Sequence, residues 1–311
     1  MSIYRSAAGK RAIERVYESG ITALPFDVDS QYVDTRHGRT HVLLAGPADG
    51  RPVVVFHGGN STNPLSLAWY ADLADEYRIV APDTIGQPGL SAETRVDPRG
   101  DGYGEWVVDL LDAVDLGSGE RESSVKRSIE NGSVESGSTG LDSVPMIGTS
   151  YGSGIVLRTA AYAPERIDRA ALVVPAGFGT GSLVPMARIG LPALAYRFVP
   201  SAWLLERVLT SMVTATDPDP LLRETVATSL RHVALEREFP GAEADELEEF
   251  TAPVTLFAAE NDPFFPADAI VPRARALLST LDRVEVLEDE RHIPSPVAQD
   301  RVTSIIRECF R

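Results

Sequence analysis

The chain has 311 residues, of which 43% are apolar and 24% charged, a composition that excludes global disorder and fits one large α/β domain with an insertion or two small domains. Its single cysteine, Cys309, excludes an internal disulfide and therefore the class of small disulfide scaffolds. A net charge of −16, from 45 acidic and 29 basic residues, opposes binding to nucleic acid or to anionic lipid.

Short β-rich runs alternate with amphipathic runs of helix length, a pattern typical of a mostly parallel sheet covered by helices. After an N-terminal helix, the first two strands form a predicted hairpin that turns at His37-Gly38. Most later runs are continuously apolar, as in strands that are buried on both faces. The predicted strands are Gln31–Asp34, Thr40–Leu44, Val53–Phe56, Arg78–Ala81, Val144–Ile147, Ala171–Val174, Val254–Ala258 and Val284–Leu287.

Two segments interrupt this alternation. In residues 117–143, 13 of the 27 positions are Gly or Ser and four are Glu, which predicts a flexible surface insertion without a catalytic role. Residues 177–250 are too long for a loop and are predicted to form several helices. We expect a helical cap over a binding site, on a core made of residues 1–176 and 251–311. The alternative is a second packing layer without substrate contact.

The strongest chemical motif is a strand, a tight turn and a helix at residues 145–154. Within it Gly148-x-Ser150-x-Gly152 matches the pattern of a nucleophilic serine on a strained turn. The helix N-terminus places amide N–H groups beside the hydroxyl, which favours an oxyanion and therefore acyl transfer. A dinucleotide-binding turn is the alternative, but its G-x-G-x-x-G spacing is absent.

A second loop, Phe56-His57-Gly58-Gly59-Asn60, follows an apolar strand. In a chain with a nucleophile turn, a backbone N–H of this loop is expected to be the second oxyanion donor. His57 could act as a general base, but we expect it to shape the loop.

A serine nucleophile needs a base that is itself oriented by an acid. His292 follows the last predicted strand, and Asp262 follows the strand before it, so both return to the sheet edge that carries Ser150. Glu260 is the rival acid. No cluster of His, Cys and carboxylates has metal-ligand spacing, so we expect neither a metal nor another cofactor.

From about Val33 to Phe310, these motifs together resemble the α/β-hydrolase superfamily. The resemblance implies an eight-stranded, mostly parallel sheet flanked by helices, with the helical cap inserted before the penultimate strand. It implies that Ser150 is the nucleophile, Asp262 the acid and His292 the base. The implied oxyanion hole consists of the backbone amides of Gly59 and Tyr151.

Some positions depart from the family pattern. The family often has a proline shortly after His-Gly-x, whereas here Asn60 follows Gly59, so either amide remains a candidate donor. The segment Asp83–Ser91 is similar to the family's D-x-x-G-x-G-x-S loop but one residue longer, and we expect it to be structural. The serine at position 150 argues against the haloalkane dehalogenase and epoxide hydrolase branches, which use aspartate there.

The expected function is hydrolysis of a small or medium carboxylic ester through an acyl-serine intermediate. Alternatives on the same three residues are C–C bond hydrolase, enol-lactonase, perhydrolase and aminopeptidase activity, and alternatives of another class are a non-catalytic ligand-binding relative and a structural scaffold. The expected partner is a small acyl compound, while the oligomeric state is left open. The candidate pocket residues are Asn60, Phe178, Met186, Trp203 and Phe264.

Charged residues near the N-terminus interrupt any export signal, and the longest apolar stretch, Ile189–Leu205, is too short to cross a membrane. We therefore expect a cytoplasmic protein without a membrane span. Only Lys10 and Lys126 are lysines, and an acidic, lysine-poor surface indicates adaptation to high salt. The alternative is ordinary solubility with a codon bias that favours arginine.

Overall fold

The computed structural model describes residues 2–116, 141–236 and 238–311. Its helices and strands, in chain order, are α1 (Ala7–Ala23), β1 (Val28–Thr35), β2 (Gly38–Ala45), β3 (Arg51–Phe56), α2 (Asn63–Leu67), β4 (Tyr77–Pro82), α3 (Gly102–Ala113), β5 (Val144–Thr149), α4 (Tyr151–Tyr162), β6 (Ile167–Val173), α5 (Leu183–Phe198), α6 (Ala202–Met212), α7 (Pro220–His232), β7 (Val254–Ala259), α8 (Ala267–Leu277), β8 (Leu281–Leu287) and α9 (Pro296–Cys309). The predicted surface insertion 117–143 lies outside the described residues except for its last three positions.

The strands form one eight-stranded sheet in the order β1-β2-β4-β3-β5-β6-β7-β8. Strand β2 pairs antiparallel with β1 and β4, and the other neighbours are parallel, which confirms the predicted fold class. Strand β3 has β4, the next strand in the chain, on one side and β5 on the other, so the direction in which strands are added reverses at β3. Because Phe56 of β3 lies opposite Gly148 of β5, the loops that follow these two strands are neighbours at the carboxyl edge. Open α/β sheets bind ligands at such a reversal of strand order.

Helices cover both faces of the sheet, so the central strands are buried and mainly apolar. Helices α3, α4 and α8 cover one face, and the cluster there includes Trp106, Leu110 and Ile155, all fully buried. Helices α1 and α9 cover the other face, where Tyr17 and Ile306 join a second cluster. The fully apolar strand segments therefore mark the centre of the sheet.

The hairpin between β1 and β2 turns one residue earlier than predicted. Thr35 pairs with Gly38, so Arg36 and His37 form the turn. Gly38, predicted to be part of the turn, is therefore the first residue of the second strand. Its φ of 120° is one that residues with a side chain rarely adopt. Arg36 forms an ion pair with Asp109 of α3, which holds the turn against that helix.

Helices α5, α6 and α7, here called the inserted helices, lie between β6 and β7. They pack on one another through a separate apolar cluster, which three residues from outside the segment 177–250 also join. These three are Leu65 of α2, Phe264 after β7 and Ile293 after β8. The N-termini of two of the helices are capped by side chains: Ser201 accepts a hydrogen bond from an N–H of α6, and Asp219 accepts two from α7. That residues 177–250 form a separate domain stays a prediction.

The first turn of α4 packs so closely on β3 that a substitution at this contact is a direct test of the fold. A Cβ at Gly152 would overlap the carbonyl oxygen of Phe56, and neither backbone can move without disturbing the sheet. We expect Gly152→Ala to lower the free energy of unfolding by about 3 kcal/mol, measured by urea denaturation.

The matched control is the same change at Gly190 in α5, where a Cβ would meet nothing within 4 Å. Since alanine favours a helix over glycine, Gly190→Ala is expected to raise the free energy of unfolding by about 0.5–1 kcal/mol. Equal stability of the two variants would contradict the close packing described at Gly152.

Candidate active site

Ser150 alone connects strand β5, which ends at Thr149, to helix α4, which begins at Tyr151. Its backbone has φ 52° and ψ −112°, a conformation that non-glycine residues adopt only under constraint from their surroundings. The constraint is packing, because a Cβ at Gly148 would lie 2.5 Å from the backbone nitrogen of Ser153. The G-x-S-x-G spacing is therefore a steric requirement of the turn, which presents Ser150 at the helix N-terminus.

Asp262 and His292 meet at the same edge of the sheet, in the loops after β7 and β8. Nδ1 of His292 donates a hydrogen bond to Oδ2 of Asp262 at 2.7 Å. The other carboxylate oxygen, Oδ1, accepts from the backbone N–H groups of Phe264 at 2.8 Å and Phe265 at 3.0 Å. With the carboxylate fixed and only 3% of Asp262 exposed, the imidazole is held in the tautomer that leaves Nε2 free to accept a proton.

Glu260, the rival acid, has a different set of contacts. Its carboxylate accepts from the backbone N–H of Asp289 at 2.9 Å, and its own N–H donates to the carbonyl of Leu287. Asp289 has a φ of 59°, so Glu260 stabilises a strained turn after β8. These contacts favour Asp262 over Glu260 as the partner of His292.

The loop after β3 lies against the turn that carries Ser150. A Cβ at Gly59 would lie 3.0 Å from Cβ of Tyr151, so the two backbones are close neighbours. The backbone N–H of Asn60 donates to Oε1 of Gln87 at 2.8 Å and is therefore occupied. Of the two amides that the sequence leaves open as oxyanion donors, this contact favours Gly59.

His57 is buried beneath this loop rather than facing a ligand. Its Nε2 accepts from the backbone N–H of Thr84 at 2.9 Å, and its Nδ1 donates to the carbonyl of Gly58 at 2.9 Å. Both ring nitrogens are thus used inside the protein. Complete burial lowers the pKa of His57 below its usual value of 6.5, because desolvation disfavours the charged ring.

Ser150 and His292 both line a cavity of about 490 Å³. Its wall is predominantly apolar and comes from the core and from the inserted helices. Of the candidate pocket residues predicted from the sequence, Asn60, Met186 and Phe264 line this cavity. The Phe264 ring and the imidazole of His292 also pack in a T-shaped arrangement, with ring centroids 4.9 Å apart.

The other two candidate pocket residues, Phe178 and Trp203, do not line this cavity, which corrects that part of the prediction. Phe178 is only 3% exposed because it packs into the core cluster beneath the sheet edge. Trp203 is 66% exposed because it lies on the outer side of α6, beside Arg207. An apolar side chain in a covering helix can face either side, and single residues do not reveal which.

Several cavity residues were missed by sequence reasoning. They are Leu65, Trp69, Val208, Met212, Leu222, Val226, Leu230, Phe239 and Ile293. For α7 a signal was present, since Leu222, Val226 and Leu230 are spaced by four and therefore share one helix face. For Leu65, Trp69 and Phe239 the position is set by tertiary packing alone.

Among the described residues, no group of three or more His, Cys, Asp or Glu side chains is placed to hold a metal ion. Within the same part of the chain, no helix combines the length and the apolar character needed to cross a membrane.

The sequence model of the alpha/beta hydrolase family matches residues 53–303, most of the chain, so the chain belongs to this family and is a hydrolase. Carboxylesterase YbfK of Bacillus subtilis is 24% identical over 302 residues, covering 90% of this chain and 87% of the relative. Haloalkane dehalogenase 2 of Mycobacterium tuberculosis is 26% identical over 316 residues, covering 92% and 96%.

Among solved structures, naproxen esterase (carboxylesterase NP) of Bacillus subtilis superposes with a TM-score of 0.77 and 21% identity. The superposition covers 99% of this chain and 100% of that one. At this identity the likeness shows a shared fold.

The buried His57 predicts how stability depends on pH. Because its folded-state pKa is lowered, the unfolded chain binds a proton below about pH 6.5 that the folded chain does not. The free energy of unfolding therefore falls as the pH decreases from about 6.5. We expect His57→Gln, which keeps an acceptor near the Nε2 position but does not titrate, to lose less stability between pH 7.5 and 5.5 than the native chain.

Urea unfolding at pH 7.5, 6.5 and 5.5 measures this difference. All other titrating groups are common to the two proteins, so parallel pH curves would show that His57 does not contribute.

Proposed function

We propose that the chain hydrolyses carboxylic esters of small or medium size through an acyl-serine intermediate. Ser150 is the nucleophile, His292 the general base and Asp262 the acid that orients it. The observation that carries this proposal is the 2.7 Å hydrogen bond between Asp262 and His292 at a cavity whose wall also contains Ser150. The carboxylesterase relative supports an ester as the substrate.

In the first half of the reaction, Nε2 of His292 takes the hydroxyl proton of Ser150 as Oγ attacks the ester carbonyl carbon. The carbonyl oxygen becomes an oxyanion, which the amides of Gly59 and Tyr151 stabilise. The intermediate then expels the alcohol oxygen, which receives the proton from His292. In the second half, water attacks the acyl-serine with the same base, and the acid product leaves as Ser150 recovers its proton.

The cavity favours an ester whose acyl or alcohol part is apolar and uncharged. Its wall is predominantly apolar, and the wall residue Glu236 would repel an anionic substrate. We further propose that the inserted helices form a cap over the site, because Met186, Ile189 and Leu222 of these helices line the same cavity as Ser150.

The likeness to haloalkane dehalogenases does not extend to the nucleophile. An alkyl halide is displaced by a carboxylate, whereas this chain has a serine at the turn. The hydroxyl of Ser150 supports acyl transfer instead. Salt adaptation and a cytoplasmic location remain proposals that rest on composition and on the charged N-terminal residues.

Ser150→Ala tests the nucleophile. Without the hydroxyl no acyl-enzyme forms, so kcat for a chromogenic ester is expected to fall by on the order of 10⁴ to 10⁶ while the fold is kept. A fluorophosphonate should label the native chain and leave the variant unlabelled. Turnover at the native rate in the variant would refute the assignment.

A pair of carboxylate variants separates Asp262 from Glu260. Asp262→Asn keeps the shape but no longer enforces the productive tautomer of His292, so kcat is expected to fall by on the order of 10³ to 10⁴. Glu260→Gln removes only a surface turn contact and should keep kcat within about threefold. Steady-state kinetics on one ester decide between them, and the reverse order of effects would make Glu260 the acid.

A further inference from the structure

Gln87 is a buried glutamine in the loop Asp83–Ser91, which the sequence marks as structural and one residue longer than usual. Only 2% of its surface is exposed. Its Oε1 accepts from the backbone N–H of Asn60 at 2.8 Å, and its side-chain amide lies beside the side chain of Tyr151, whose hydroxyl hydrogen-bonds Tyr103. One side chain thus joins the two segments that flank the nucleophile, although it does not itself line the cavity.

Asn60 is held by a second set of contacts. Its backbone has a φ of 57°, a left-handed conformation that asparagine tolerates better than most residues. Its Oδ1 accepts from the backbone N–H of Glu236 at 2.7 Å, and its Nδ2 donates to the carbonyl of Glu236 at 3.1 Å. Asn60 is therefore fixed both to Gln87 and to the segment after α7.

We propose that Gln87 is a positioning residue that fixes the spacing between the two oxyanion donors, the amides of Gly59 and Tyr151. This inference rests on the proposed ester hydrolysis. Gln87 binds the residue after Gly59 through its backbone N–H, which sets the orientation of the peptide unit between them. Its amide also lies beside the side chain of Tyr151, the residue whose amide is the other donor.

The backbones at Gly59 and Tyr151 are closely packed, because a Cβ at Gly59 would lie 3.0 Å from Tyr151. Loss of the Gln87 contacts frees the Asn60 amide and lets the loop after β3 shift relative to α4. Misplacement of a catalytic group by about 1 Å can cost about 10²-fold in rate. Since the donors act on charge that develops in the transition state, the loss falls on kcat rather than on KM.

The test compares Gln87→Met with Thr84→Val. The methionine has a similar volume but does not make the hydrogen bond to Asn60. The control changes a buried residue of the same loop whose hydroxyl has no partner within the described structure, while its volume is kept. We expect Gln87→Met to lower kcat by about 10- to 100-fold with KM within about threefold, and Thr84→Val to retain both constants.

Two further measurements separate positioning from folding. Rates are expressed per serine labelled by a fluorophosphonate, so an unfolded fraction does not count. Affinity for a trifluoromethyl ketone, which forms a tetrahedral oxyanion on the serine, should fall in parallel with kcat, whereas affinity for a non-covalent apolar alcohol should not change. Gln87→Asn, which keeps an amide but is one methylene shorter, should show the same pattern if the methionine variant does not fold.

Asn60→Gly isolates the link to Glu236, because it keeps the left-handed backbone and the N–H that Gln87 accepts. Its kcat is expected to stay above that of Gln87→Met. Unchanged kcat per labelled serine in both Gln87 variants, with a native enzyme that hydrolyses the ester, would overturn this inference alone. A native chain that neither hydrolyses esters nor is labelled at Ser150 would overturn the proposed function, and the inference with it.

Discussion

Close backbone packing at the turn between β5 and α4 is the constraint on which the site depends. Cβ atoms at Gly152 and Gly154 would overlap the carbonyl oxygens of Phe56 and Pro240, respectively. The first contact sets α4 against the neighbouring strand, and the second sets it against the segment that returns from the inserted helices. Between these contacts Ser150 keeps a strained conformation that no local preference would maintain. The strain at Ser150 is thus offset by the packing of α4 against β3 and against the segment at Pro240.

The inserted helices hold the loops of the site as well as lining the cavity. The backbone N–H of Ile293, next to His292, donates to the carbonyl of Met212 at the end of α6. On the opposite side, Asn60 forms two hydrogen bonds with Glu236 after α7. The loops that carry His292 and Asn60 are therefore positioned partly by the inserted segment. A movement of these helices would change the geometry of the site and not only the access to it.

Sequence alone predicted the parts that local physics determines. The apolar strands follow from burial on both faces, and the turn at Ser150 follows from the small residues it needs. The choice between Gly59 and Asn60 could not be made, because it depends on Gln87, which lies 27 positions further along the chain. The assignment of Trp203 to the pocket failed for a related reason, since the face that a covering helix turns inward is decided by tertiary packing.

A second carboxylate–imidazole pair, Asp83 and His41, lies at the start of the loop that carries Gln87. Asp83 contacts Nδ1 of His41 at 3.3 Å and accepts from the hydroxyl of Tyr17 at 2.9 Å and from the N–H of Leu90 at 2.7 Å. All of these groups are used within the core, so this pair has a structural role despite its chemical likeness to Asp262 and His292. What distinguishes the pair Asp262 and His292 is that His292 lines the cavity together with Ser150. Because Asp83 at the start of the loop accepts from Leu90 near its end, this carboxylate ties the two ends of the loop together, and Gln87 lies between them in a position to hold Asn60.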